Sequence, residues 1–264
     1  MMKKNNEFFV SYIEGSLGPK TKLTLKRFTI TAILLIVIGA LCFSFSQKPF
    51  KNSVFDLADT AKITGTYHEY PYPMLRVEVA DHTFKNILLL GFGKFSANPY
   101  LEKLRKKEKD LNGKAITIEG NLIYYNGKTL IQIDDDEKIT LANNTKSQLP
   151  TKKQISTMTL EGEIIDPKCY FGVMKPGKGK IHRSCAVLCI SGGIPPVLAT
   201  TDHNNMSPYF LLTNMKGEPI NSDVIPYIGK PSKITGVVEK IDDWYLMKIK
   251  VSDIVALDKK SSIY

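Results

Sequence analysis

The sequence lacks the motifs by which common nucleotide-dependent enzymes and hydrolases are recognised. It has no P-loop, no G-x-G-x-x-G fingerprint, no H-E-x-x-H zinc motif and no G-x-S-x-G nucleophile elbow. Cysteine is also scarce, with 4 residues among 264, which excludes a disulfide-dense scaffold. Acidic residues are fewer than basic ones, 26 against 36. The net charge of +10 suits a nucleic acid, an anionic membrane or an acidic partner without selecting one of them.

Apolar residues, in contrast, are abundant. Hydrophobic residues make up 43% of the chain and aromatic residues 9%, which excludes a disordered protein. The length permits one large domain or two domains of about 100–130 residues each.

An apolar segment near the N-terminus predicts a transmembrane helix. Residues 28–45 (FTITAILLIVIGALCFSF) form 18 consecutive residues without a charge. As a helix they would span about 27 Å, close to the hydrocarbon thickness of a bilayer. The preceding tail carries six basic residues against two acidic ones: Lys3, Lys4, Lys20, Lys22, Lys26 and Arg27 against Glu7 and Glu14. The positive-inside rule therefore predicts a cytoplasmic tail over 1–27, a transmembrane helix over 28–46 and an extracytoplasmic remainder.

A cleaved signal peptide is the alternative to this anchor. Ser44-Phe45-Ser46 has the small-x-small pattern of a cleavage site. However, the preceding tail is long, and the apolar run exceeds the roughly 7–15 residues of a signal sequence, so we favour a retained anchor. A lipoprotein is also disfavoured, because Leu41 precedes Cys42 at the position where a lipobox needs a small residue. The predicted topology also keeps the bulk of the chain away from cytoplasmic nucleic acid, and we expect no nucleic-acid partner.

An internal repeat organises the rest of the chain. Residues 113–141 align without a gap onto residues 229–257. Glycines and apolar positions account for most of the identities, which is where a shared backbone constrains sequence. The matched residues are Gly113, Lys114, Ile118, Gly120, Leu130, Ile133 and Leu141 against Gly229, Lys230, Ile234, Gly236, Leu246, Ile249 and Leu257.

Each copy has the element order of an OB-fold: three strands, a helix and a two-stranded hairpin. In the first copy Asn98 is expected to cap the helix, and Asn126-Gly127 predicts a type I′ turn in the hairpin. The sequence thus predicts a mainly β protein, an N-terminal transmembrane helix followed by two tandem OB-fold-like five-stranded barrels. The predicted domains are 58–142 and 157–258, joined by a linker over 143–156. In the last strand, Leu246 and Ile249 are three positions apart, which suggests a bulge.

The chain resembles, at the level of this pattern over residues 58–258, bacterial membrane-anchored proteins with extracytoplasmic OB-fold-like domains. The haem chaperones of cytochrome c maturation are one such group, with a single N-terminal anchor and one barrel. Their His and Tyr near the C-terminus have no matching motif here. The resemblance therefore implies architecture and no activity.

The second copy carries an insertion over 166–195 where the first has only a short turn, His68 to Pro73. Because the first copy manages without it, function is expected to lie in this insertion. His182, Cys185 and Cys189 have helical spacing and would share a face, and Cys169 could fold back over it. Together Cys169, His182, Cys185 and Cys189 form a candidate Cys₃His site for zinc, or for Cu(I) with Met174 nearby.

Two alternatives to a metal site stay open. Outside the cytoplasm, Cys169 could form a disulfide with Cys185 or Cys189 and leave one spare thiol. Thiol catalysis is the other, although no C-x-x-C motif supports it. The insertion is also basic, which would suit an anionic ligand, a lowered thiol pKa or simply a solvated loop. Its basic residues are Lys168, Lys175, Lys178, Lys180 and Arg183.

From these features we expect a membrane-anchored, extracytoplasmic metal-binding or accessory subunit of a membrane redox assembly. Its expected partners are the lipid bilayer and a membrane protein, and its expected cofactor is a zinc or copper ion. No acid–base pair or activated nucleophile is evident, which argues against an enzyme. The alternatives are a structural module with a disulfide-stapled docking loop and a thiol or metal chaperone.

Overall fold

The computed structural model describes residues 18–46, 53–108, 110–142, 149–174, 176–200 and 208–257. The chain divides into two compact units, Met1–Lys51 and Asn52–Tyr264. The first unit contains helix α1, Pro19–Ser46, whose 28 residues carry no buried side chain. It is the one helix in the described part of the chain that is long and apolar enough to cross a membrane. It begins nine residues before the predicted start at position 28, because Lys20 to Arg27 continue the helix without a proline or glycine to stop it.

The second unit begins with a five-stranded barrel. Its strands are β2 (Ala61–His68), β3 (Met74–Ala80), β4 (Thr83–Gly91), β5 (Ala115–Tyr125) and β6 (Lys128–Ile133), and α2 (Asn98–Lys107) precedes β5. The strands pair in the order β5-β2-β3-β4-β6, and pairing of β6 with β5 closes the ring. Two short strands, β1 (Ser53–Phe55) and β7 (Ile139–Leu141), pair antiparallel with β5 outside the ring.

A second closed barrel follows. It consists of β8 (Lys152–Ile165), β9 (Val197–Thr200), β10 (Tyr209–Thr213), β11 (Pro231–Ile241) and β12 (Trp244–Ala256), in the order β10-β12-β11-β8-β9. A short helix, α4 (Asn221–Val224), continues into a 3₁₀ turn, Ile225–Tyr227, before β11. In both barrels the third and fifth strands are parallel and the first and fourth are antiparallel. The predicted fold class, two tandem OB-fold-like barrels, is confirmed.

Equivalent glycines occupy equivalent positions in the two barrels. Gly113 and Gly229 have positive φ values of 81° and 66° just before the fourth strand of each barrel. Gly120 and Gly236 sit where a Cβ atom would lie 2.3 Å and 2.5 Å from the carbonyl oxygens of Gln132 and Lys248. Gln132 and Lys248 are themselves matched in the sequence alignment. The repeat predicted from sequence is therefore a repeat of structure.

Two expectations about individual elements are wrong. Asn98 does not cap α2: the N-cap is Ala97, and Asn98 is the first helical residue, where its side chain accepts a hydrogen bond from Arg105. The bulge suggested between Leu246 and Ile249 is misplaced, because β11 and β12 pair continuously from Ile241↔Trp244 to Gly236↔Ile249. The pairing shifts only beyond Ile249, where the next pair is Ile234↔Ile254. The Asn126-Gly127 turn is as predicted, with both φ values positive.

The apolar pattern of β12 has a different cause, namely that both of its faces are buried. Met247 and Ile249 belong to the interior core of the second barrel. Trp244 and Leu246 point the other way, into a separate apolar cluster that also contains Leu88 and Leu130 of the first barrel. We call this cluster the junction core. The predicted linker falls between the barrels in sequence, but β8 already begins at Lys152, and residues 143–148 lie outside the described part of the chain.

Matched residues of the two repeats meet in the junction core. Leu130 and Leu246 are matched in the sequence alignment. Their strand partners are Leu88 and Leu211, which are therefore equivalent in the two barrels. All four of these leucines belong to the junction core. The corresponding outer faces of the two barrels thus pack against each other, and residues 52–264 form one compact unit.

A polar network at the edge of the junction core also joins the two barrels through hydrogen bonds. Arg76 on the first barrel binds Asp242 at the β11–β12 turn through two hydrogen bonds of 2.8 Å and 3.2 Å. Asn86 donates its backbone N–H to Asp243 at 2.8 Å, and its own carbonyl accepts from the Trp244 indole at 2.9 Å. Burial alone would raise the pKa of Asp242, but hydrogen bonds from Arg76 and Asn86 lower it instead.

Candidate metal centre

The insertion of the second repeat folds into a tight turn followed by a helix. The turn is a π-helical segment, Cys169–Val173, and the helix is α3, Gly179–Ser191. Gly177 allows the connection to pass close to the turn, since a Cβ atom there would lie 2.5 Å from the Cα of Tyr170. The insertion is not a surface loop, because Phe171, Cys189 and Ile194 are part of the junction core. It fills the space between the two barrels. The sequence did not predict this position, because the first repeat has no such insertion for comparison.

The three cysteines of the insertion come together. The Sγ atoms of Cys169, Cys185 and Cys189 all lie within 4.8 Å of one another. Cys169 is supplied by the turn after β8, whereas Cys185 and Cys189 are one helical turn apart on α3 and therefore share a face. Cys169 and Cys189 are buried and Cys185 is half-buried, so the group opens toward solvent at Cys185. All three are free thiols, as is Cys42 in α1.

His182, the fourth residue of the predicted set, lies in a second group. Its Nε2 atom makes a 3.1 Å hydrogen bond with Oδ2 of Asp166, and both side chains are almost completely buried. The other oxygen of Asp166 accepts the backbone N–H of Cys169 at 2.8 Å. Asp166, Cys169 and His182 form a group of potential ligands within 4.8 Å, and this group does not include Cys185 or Cys189. Asp166 thereby links the cysteine turn to α3.

The pKa values of the two buried thiols shift in opposite directions. The hydrogen bond from the Cys169 thiol lowers the pKa of Cys189, helped by the positive charge of Lys94 and opposed by burial. The same hydrogen bond, together with burial, raises the pKa of Cys169. Of these two thiols, Cys189 therefore ionises more readily, and a thiolate is the form that binds metals or attacks disulfides.

Lys94 reaches the cysteines from the first barrel. It lies in the loop 92–97 between β4 and α2, and its ammonium group donates a hydrogen bond to the Sγ atom of Cys185 at 3.2 Å. The loop is held against the insertion by a 3.0 Å hydrogen bond from the Ser96 N–H to the Gly192 carbonyl at the end of α3. The hydrogen bond to Cys185 raises the pKa of Lys94. The site therefore combines thiols of one repeat with a cation of the other.

Lys168 binds the end of β4 and the start of the same loop. Its buried ammonium group donates to the carbonyl oxygens of Gly91 and Gly93, both at 2.8 Å. Burial lowers the pKa of Lys168 to about 8, whereas Cys189, Cys169 and Asp166 favour its charged form. For this residue the solvated-loop interpretation is wrong. Lys178 and Lys180 are exposed, as that interpretation expects, and Lys175 lies outside the described residues.

Sequence reasoning missed two residues of this site. Asp166 immediately follows β8 and precedes Pro167, a position typical of a side chain that caps a following turn. That pattern could have indicated its contact with Cys169. No local pattern identifies Lys94, because it belongs to the other repeat and is 91 positions away from Cys185.

Comparison of the chain with protein-family models, with curated proteins and with solved structures finds no match.

Proposed function

We propose that the protein is a membrane-anchored, metal-binding accessory subunit of a membrane redox assembly. The observation that supports this most directly is the convergence of three sulfur atoms within 4.8 Å. Ligands bound to one ion at about 2.3 Å can lie at most about 4.6 Å apart, so the thiols are nearly in place for ligation. Asp166 supports the arrangement as an outer partner, since it fixes the turn that carries Cys169.

The anchor and its orientation complete this proposal. Helix α1 is long and apolar enough to cross a bilayer, and the basic residues lie before its apolar segment 28–45. We propose that the tail is cytoplasmic and that both barrels are outside the cytoplasm. Protease added to spheroplasts should then degrade the barrels, and protection of the barrels would contradict this orientation.

Exposed apolar side chains beside the cysteines favour a protein partner. Ile181 and Leu188 on α3 and Phe92 and Phe95 in the loop 92–97 are each more than half exposed. Ile181 and Leu188 flank Cys185 at helical spacing, and the two phenylalanines flank Lys94. Lys94 and Lys180 add positive charge, so the partner surface proposed here is apolar with an acidic rim.

Metal analysis and thiol counting on the purified full chain test the proposed function. We expect one metal ion per chain and four reactive thiols after unfolding with a chelator, since the chain has four cysteines. A disulfide-stapled loop would instead show no metal and lose two of these thiols. A metal-free protein with four thiols, able to reduce a disulfide of low molecular weight, would favour the thiol chaperone that the lowered pKa of Cys189 also suits.

A further inference from the structure

The three-thiol group differs from a structural zinc site in its number of ligands. Structural zinc is almost always four-coordinate. His182, the fourth ligand that the spacing predicts, hydrogen-bonds Asp166 through Nε2 at 3.1 Å. It belongs to the separate group with Asp166 and Cys169 and not to the group of three cysteines. Among the described residues, the three sulfur atoms thus form one group, and no histidine nitrogen lies within 4.8 Å of all three.

On this basis we propose that the site holds a soft monovalent metal ion in three-coordinate form, with Cu(I) as the biological candidate. Cys169, Cys185 and Cys189 would supply all three ligands. This inference rests on the proposed function, since it names the class of ion for the same site. Thiolates are the ligands that select soft ions, and Cu(I) needs no fourth donor.

Charge supports the same conclusion. Three thiolates around a monovalent ion carry a net charge of −2, whereas around a divalent ion they carry −1. Two ammonium groups lie at this part of the structure. That of Lys94 is 3.2 Å from the Sγ of Cys185, and the buried one of Lys168, the residue before Cys169, donates to the carbonyl oxygens of Gly91 and Gly93. Together they would neutralise the monovalent complex, and Lys94 closes the half-buried side of the group at Cys185.

The coordination is tested on the full chain in detergent, without oxygen, loaded with one equivalent of Cu(I) or Zn(II). Copper X-ray absorption should show sulfur neighbours and no nitrogen. A nitrogen neighbour of copper would overturn the inference and restore the four-ligand set with His182, while leaving the proposed metal-binding function intact. Failure of both ions to bind would instead contradict the proposed function itself.

The role of charge is tested with Lys94→Met, which keeps a long side chain but removes the ammonium group. Competition with the chelator bicinchoninate should show Cu(I) affinity about fivefold weaker in Lys94→Met, and restored in Lys94→Arg. Zn(II) affinity should change less, because its complex carries one less negative charge. Lys103→Met is the matched control, since Lys103 pairs with Asp136 and Glu137 on the surface of the first barrel. An equal loss for both ions, or no loss for Cu(I), would overturn the inference.

Discussion

Replacing Cys189 with serine is expected to reduce metal binding to less than about a tenth of the wild-type level. Loss of an outer-shell partner alone typically weakens metal binding 10–100-fold, so loss of a direct ligand should cost at least as much. Cys189 is the thiol with the lowered pKa and is almost fully buried, so no water can readily replace its sulfur. Metal content after gel filtration, measured by mass spectrometry, gives the result.

Cys42→Ser provides the control for this change, because it makes the same replacement in α1, outside the cluster. It should retain full metal content. Serine at position 189 could also disturb the junction core, so the far-ultraviolet circular dichroism of each variant is compared with wild type. Cys185→Ser, at the half-buried position, gives a second test with less risk to the fold. Full metal content in both Cys185→Ser and Cys189→Ser would contradict the cluster as the binding site.

Replacing Trp244 with alanine is expected to lower the free energy of unfolding by about 3–5 kcal/mol. Trp244 is fully buried in the junction core. Its indole N–H donates to the Asn86 carbonyl of the first barrel at 2.9 Å, and the Lys128 ammonium group lies 4.8 Å from its ring centre. The alanine variant would leave a cavity between the barrels and a carbonyl group without its partner.

Urea unfolding followed by circular dichroism measures this loss on the full chain in detergent. Because Trp244 joins the barrels, we also expect the alanine variant to unfold in two steps, whereas the wild type should unfold in one. Trp244→Phe keeps most of the ring volume and should lose less stability than the alanine variant. A loss below about 1 kcal/mol in Trp244→Ala would show that the junction core is not what holds the barrels together.

The element order of both barrels could be predicted because it depends on local patterns. Gly113 and Gly229 mark backbone positions with positive φ, and Asn126-Gly127 adopts the turn that its two residues favour. The same local physics made the apolar run of α1 recognisable. The prediction was wrong where the two faces of one strand pack against different cores. The strand around Leu246 suggested a bulge because its two faces contact two different cores, and alternation disappears when both faces are buried.

Part of the candidate site could also be predicted, because it depends on local sequence patterns. The helical spacing of Cys185 and Cys189 determines that they share a face of α3, and the return of Cys169 follows from the turn after β8. His182 shares that helix but is bound by Asp166, and spacing alone cannot show which of two nearby partners a side chain takes. Burial decided this outcome, because a buried carboxylate needs a hydrogen-bond partner.

The sequence by itself determined the repeat, the two barrels, the apolar helix and the three cysteines of the insertion, because each depends on residues close together in the chain. Only the tertiary structure decided that the insertion fills the junction between the barrels and that Lys94 meets Cys185. These contacts join segments far apart in sequence, and their partners are selected by the packing of two barrel faces. No spacing rule acts over that distance, since such contacts form only when apolar surfaces of both repeats are buried together.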